Sequence, residues 1–150
     1  MDKFISKTGR IIKYTDHNLP NIATRYTPLE SKVRIIEAGG EKKLFYQISR
    51  EGKYDDKVAS IAEEDLSDLI KALQSLKQSV MADVQSNPDY LENKFVTEDG
   101  FQLGYYVSKG KAVWYIVLER FGSDNTVFFN DINAIENSFA TAQEKMRTLR

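Results

Sequence analysis

The chain has no cysteine, so disulfides, thiolate metal sites and cysteine nucleophiles are all excluded. It has one histidine, His17, which leaves no second imidazole to share a metal. No serine stands in a Gly-x-Ser-x-Gly elbow. No run is long and apolar enough to span a bilayer, and the first residues, MDKFISKTGRIIKY, lack the apolar core of a leader. The expectation is a chain with no membrane partner, cytoplasmic if complete and exported if a leader has been removed. Charge of either sign is not in excess: the net value is -1, so nothing pulls the whole molecule toward nucleic acid or acidic lipid.

What is present belongs to an ordinary globular chain. A hydrophobic fraction of 41% and a charged fraction of 29% over 150 residues suffice for one core. Laid without a gap over Val113 to Met146, the stretch Leu44 to Lys77 repeats its plan. Phe45 falls on Trp114, Tyr46 on Tyr115, Ile48 on Val117, Val58 on Val127, Leu66 on Ile135 and Ile70 on Phe139. Matching apolar phase at weak identity points to internal duplication.

In chain order, GRIIKY (residues 9–14) reads as a first strand, and Thr15 to Leu29, with two prolines, as a long loop. Gly39-Gly40 joins Lys32–Ala38 to Lys43–Ser49 in a hairpin that opposes Glu37 to Lys42, Ile35 to Leu44, Arg34 to Phe45 and Val33 to Tyr46. Lys57 to Ile61 is a short strand, and Ser60 with Glu63 reads as a capping box. Leu66, Leu69, Ile70, Leu73, Leu76, Val80 and Val84 then recur at helical spacing until Asn87-Pro88. The second unit has strands at Tyr90–Thr97 and Phe101–Ser108, and a three-residue loop Lys109-Gly110-Lys111. That loop would oppose Tyr105 to Tyr115, Tyr106 to Trp114 and Val107 to Val113. A short strand Thr126–Phe129 and a helix capped by Asn130 or Asp131 complete it, with Ile132, Ile135, Phe139, Ala142 and Met146 inward. The expected fold is α+β: two pseudo-repeated β-β-β-β-α units, antiparallel sheets with one helix across each. A single domain of residues 1–150 would then hold repeats at about 9–87 and 88–150.

Catalytic constellations are missing, so catalytic, cofactor and metal residues are all expected to be none. His17 reads as an ordinary surface histidine. The acids Asp55, Asp56, Glu63, Glu64, Asp65 and Asp68 do not fit a calcium loop and read as a solvated helix start. Ala38-Gly39-Gly40-Glu41 is a turn, with no phosphate loop around it. The remaining candidate is the outward sheet face: Arg34, Lys43 and Phe45 in the first unit, and Tyr106, Trp114, Ile116 and Leu118 in the second. Nine of the seventeen aromatics lie between Phe95 and Phe129, which concentrates this surface in the second half. Such a patch marks an interaction site, unless helices or loops cover it or a dimer buries it sheet to sheet.

The strand, polar turn, short strand and acidic-to-aliphatic helix of Lys43 to Leu76, repeated later in the chain, resembles the PUR-repeat and whirly families in element order. That resemblance implies a sheet face holding single-stranded nucleic acid, which would map onto Arg34, Lys43, Phe45, Tyr106 and Trp114. The slight acidity of the chain departs from this pattern, because phosphate contacts carry much of such binding. Three functions follow as expectations. The first is a non-enzymatic module contacting a protein partner or a second copy through the aromatic face. The second is single-stranded nucleic-acid binding on that face. The third is a small-ligand pocket between the repeats, lined by Tyr46, Tyr105 or Tyr115.

Overall fold

Two glycines in the left-handed region, Gly39 (φ 58°) and Gly40 (φ 81°), close the tightest link in the first half. A two-residue turn of this hand matches the twist of its flanking strands. It joins β2 (Leu29–Ala38) to β3 (Glu41–Arg50) in the register anticipated above, Val33 to Tyr46, Arg34 to Phe45, Ile35 to Leu44 and Glu37 to Lys42. The computed structural model describes residues 2–5, 9–52, 56–122 and 124–150; Asp55 of the acidic cluster lies outside them. A one-turn helix, α1 (Asp2–Ile5), precedes β1 (Ile12–Ile22), and β4 (Lys57–Ala62) completes an antiparallel sheet ordered β1-β2-β3-β4. Helix α2 (Glu63–Gln85) follows. The second sheet is β5 (Leu91–Val96), β6 (Gln102–Ser108), β7 (Lys111–Val117) and β8 (Thr126–Phe129), also in sequence order, and α3 (Asn133–Leu149) ends the chain. The α+β architecture of two β-β-β-β-α units is therefore the one found.

Three local expectations are corrected. Most of Thr15–Leu29 is strand, since β1 runs eleven residues to Ile22 and only the stretch 23–28 connects it to β2. Composition misled because β1 is an edge strand, where Pro20 costs no ladder hydrogen bond and a register shift between Leu19 and Ile22 absorbs it. Ser60 does not cap α2. It lies within β4 and its Oγ accepts a hydrogen bond from Gln47 Nε2 at 2.8 Å, while Ala62 occupies the cap position. The third correction is the loop between β6 and β7.

That loop has two residues, Lys109 (φ 55°) and Gly110 (φ 76°), not three. Ser108 consequently pairs with Lys111, Val107 with Ala112, Tyr106 with Val113 and Tyr105 with Trp114. One residue of slip turns a whole strand over. Trp114 and Ile116 thus face inward, where Tyr115 and Val117 had been expected, and they stand where Tyr46 and Ile48 stand in the first sheet. Tyr46 opposes Ile61 and Ile48 opposes Ala59, just as Trp114 opposes Phe129 and Ile116 opposes Val127.

The inward faces meet in one core containing Val33, Tyr46, Ile48, Leu103, Tyr105 and Ile116 with Leu66, Leu69, Leu73, Ile135, Phe139 and Met146 of the helices. The helices are exchanged between the halves. Helix α3 packs on β1 and β2 of the first sheet, and α2 lies against β3 and β4 but also against β5, β6 and β7. Side by side, they are tied by Lys77 Nζ to Glu136 Oε2 at 3.0 Å and Gln74 Nε2 to Glu136 Oε2 at 2.7 Å. The Lys77 ammonium holds the Glu136 carboxyl below its ordinary range. Two tyrosines stitch the halves from the inside: the Tyr46 hydroxyl bonds Ser138 of α3, and the Tyr105 hydroxyl bonds Asp83 of α2. Burial pushes both phenols up to about 12, so both stay protonated.

Candidate binding surface

The outward face of the second sheet is built by alternation. Glu92 and Lys94 of β5, Gly104 and Tyr106 of β6, Val113 and Tyr115 of β7 and Phe128 of β8 share it. Its aromatics touch in a row: Tyr90 and Tyr106 meet edge to face at 6.0 Å, Tyr106 and Phe128 at 6.4 Å. Tyr90 is 56% exposed, Tyr106 and Phe128 half-buried. Such T-shaped contacts set a positive ring edge on a negative face and hold each ring in place.

Gly104 makes room beneath this row. A Cβ there would stand 2.3 Å from the Asn93 carbonyl oxygen and 2.6 Å from Lys94 Cβ, so no larger residue fits the present strand spacing. Tyr115, directly opposite Gly104, is only 5% exposed although it belongs to the outward face. Its buried hydroxyl lies toward the Glu92 carboxylate. Burial first, and the nearby Glu92 carboxylate second, push this phenol far up.

Charged groups border the rings. The connection 23–28 leaves the first sheet and docks on the second: Arg25 N–H donates to the Phe128 carbonyl at 2.9 Å, and Arg25 Nε donates to Asn130 Oδ1 at 3.0 Å. Its guanidinium sits 5.9 Å from the Phe128 ring centroid, a cation over a π face. Lys94 Nζ lies 3.1 Å from Glu92, which also accepts from the Tyr90 hydroxyl at 2.9 Å. Burial works against the Glu92 charge, but these donors hold its carboxyl below the ordinary range.

The seven residues expected from the sequence do not form one surface. Ile116 and Leu118 are 0% and 3% exposed in the core, and Trp114 is half-buried on the inward side, edge to face with Tyr105 at 4.9 Å. The register slip at Lys109-Gly110 accounts for all three. Tyr106 alone stands on the outward face of the second sheet as expected. Arg34, Lys43 and Phe45 lie on the outward face of the first sheet, apart from it. There Arg34 forks onto Asp16, with Nε to Oδ1 at 2.7 Å and Nη2 to Oδ2 at 3.0 Å, and caps the Tyr14 ring at 5.3 Å. Lys43 points its ammonium at the Phe4 ring, 5.6 Å away. Phe45 is 3% exposed and lines a cleft of about 1250 Å³.

That cleft reaches from Lys32, Arg34 and Phe45 to the acids Glu64, Asp65, Glu98 and Asp99 at its far wall. Burial, then Glu64 and Asp99, push the Asp65 carboxyl above its ordinary range. None of Tyr46, Tyr105 and Tyr115 lines it, because the first two spend their hydroxyls inside the core. Among the described residues no group of three or more His, Asp or Glu could hold a metal ion. None of the described helices is long and apolar enough to cross a membrane. No known family model matches the chain, nor does any curated protein or solved structure.

The residues that sequence reasoning missed are Tyr90, Tyr115, Phe128, Arg25 and Lys94. A signal for Tyr115 and Phe128 did exist. The first hairpin turns in two residues, and a duplicated fold favours the same turn length in the second copy. Applying it would have put Tyr115 and Phe128 outward and Trp114 inward.

Proposed function

We propose that the protein is a non-enzymatic binding module whose contact surface is the outward face of the second sheet. The observation that carries this reading is the row Tyr90, Tyr106 and Phe128, held edge to face and left half-open to solvent. Rigid aromatics immobilise little side-chain entropy on binding and dominate the energetics of protein contacts. Their polar neighbours, Arg25, Glu92 and Lys94, form the rim such a contact needs. A protein partner is the best fit, because acid and base alternate along that rim. Proteins retained by the wild-type chain should be lost when Tyr106→Ala and Phe128→Ala are combined, with circular dichroism confirming the fold. Retention of every partner by that double variant would sink the reading.

Single-stranded nucleic acid on the same face is the second reading, favoured by the Arg25 guanidinium over Phe128 and by Lys94 beside the rings. Bases stacked on such rings contribute roughly 1–3 kcal/mol each. Titration of labelled single strands should then give an affinity that falls as salt rises. Absence of binding at low salt eliminates this version.

A further inference from the structure

Strand β5 ends the second sheet, and the groups on its free side can be identified. Thr97 N–H bonds the Phe101 carbonyl at 2.9 Å and Gly100 N–H bonds Thr97 O at 3.0 Å, which fixes the phase of the β5–β6 ladder. Phe95, Asn93 and Leu91, in step with Thr97, therefore spend their backbone groups on β6. Glu92, Lys94 and Val96 direct theirs away from it. The Lys94–Gly104 pair agrees, since a Cβ on Gly104 would come within 2.6 Å of Lys94 Cβ, the close approach of a pair not hydrogen-bonded to each other. Among the described residues, no other element bonds the free side of β5.

This edge has neither proline nor bulge to block pairing, and its only guards are the opposite charges Glu92 and Lys94. It is six residues long, regular, and free of proline and glycine. By contrast, β1 carries Pro20 and a register shift, and the Arg25 N–H is bonded to Phe128 of β8.

We propose that β5 pairs with β5 of a second copy of this chain, antiparallel, about a two-fold axis at Asn93. An axis at Asn93 sets Glu92 against Lys94 of the second copy, and Lys94 against its Glu92. Their free N–H and C=O groups then bond across the axis. Tyr90 falls against Val96, two exposed large hydrophobics at 56% and 49%, and half-buried Leu91 falls against Phe95. Neighbouring registers fail. An axis at Lys94 opposes lysine to lysine, one at Glu92 opposes glutamate to glutamate, and an odd offset faces free groups with groups already bonded to β6. Like charges directly opposite are destabilising and opposite ones favourable. A two-fold contact must be self-complementary, and the Asn93 register alone among these is. The contact lies at the sheet edge and goes beyond the aromatic face proposed above.

Sedimentation velocity and light scattering on the full chain test it, at about 100 μM, where a Kd of about 10 μM is mostly saturated. The wild type should sediment at twice its 17.2 kDa. Lys94→Glu and Glu92→Lys should each weaken the dimer by about tenfold or more, since each creates two like-charge contacts. The combined Glu92→Lys, Lys94→Glu chain should recover it. Tyr106→Ala, on the aromatic face, should leave the dimer intact even where partner capture is lost, which separates the two proposals. Should a charge reversal fail to fold, Glu92→Pro takes its place with the same expected loss, since it removes an N–H that faces away from β6 and that only the second copy would accept. A monomeric wild type, a reversal that stays dimeric, or a double reversal that stays monomeric overturns the proposal. So does loss of the dimer in folded Tyr106→Ala.

Discussion

Asp16 is pinned between Arg34 and Lys32, and the Arg34 hydrogen bonds hold its carboxyl at about 2, against an ordinary 3.8. A folded-state value below the unfolded one means stability that is present above about pH 4 and lost as pH falls through about 2. With a third of the side chain exposed, solvent screening cuts the contribution to about 1 kcal/mol. Asp16→Asn should lower stability by that amount at neutral pH, and the gap to wild type should close between pH 4 and pH 2 in urea titrations. Gly104 is a steric case rather than an electrostatic one. Gly104→Ala should cost about 2–3 kcal/mol, because the methyl group meets a backbone oxygen that moves only if β5 does. Trp114→Ala should cost a similar amount by emptying the site against Tyr105, whereas Tyr106→Ala should cost less than about 1 kcal/mol. Chemical denaturation of these variants checks the inward and outward assignments directly.

At the scale of elements, the second hairpin repays engineering. Lys109 pays the strain of a positive φ, and the turn it opens is one that asparagine followed by glycine prefers. Lys109→Asn should therefore raise stability by about 0.5 kcal/mol, read as a higher midpoint in urea. The same turn shows what the sequence could and could not convey. Where two independent signals agreed, as with Gly39-Gly40 and the Glu37–Lys42 pair, the register was legible to the residue. The leucines of α2 and its stop at Asn87-Pro88 were equally plain. In the β6–β7 hairpin every residue from Tyr105 to Val107 and from Val113 to Val117 is apolar or aromatic, so both faces looked alike and periodicity could not choose between them. The loop Lys109-Gly110-Lys111 accepted either turn length. That ambiguity, not a wrong fold, moved the candidate surface from Tyr115 and Phe128 to Trp114, Ile116 and Leu118. The missed second half of β1, residues 15–22, had another cause: prolines and polar residues weigh against a strand only where both edges are paired, and β1 has one free edge.

At the scale of the molecule, the exchange of helices decides whether either repeat can stand alone. In residues 9–87 the inward face of β1 and β2 has lost α3, Tyr46 has lost Ser138 and its edge-to-face contact with Phe139 at 6.2 Å, and α2 has lost β5 and β6. In residues 88–150 the sheet has lost α2, and the Tyr105 hydroxyl has lost Asp83. Each fragment of such size buries too small a share of its surface to compensate, since even an intact 60-residue domain is marginal. Each alone should therefore melt without cooperativity and show little near-ultraviolet circular dichroism. Mixed in equal amounts, the two should regain a cooperative transition, because every lost contact lies between them. A sharp thermal transition in either isolated fragment would mean that one sheet and its own following helix already make a sufficient core. The crossing contacts at Tyr46 and Tyr105 would then be ornaments on two independent units rather than the interior that joins them.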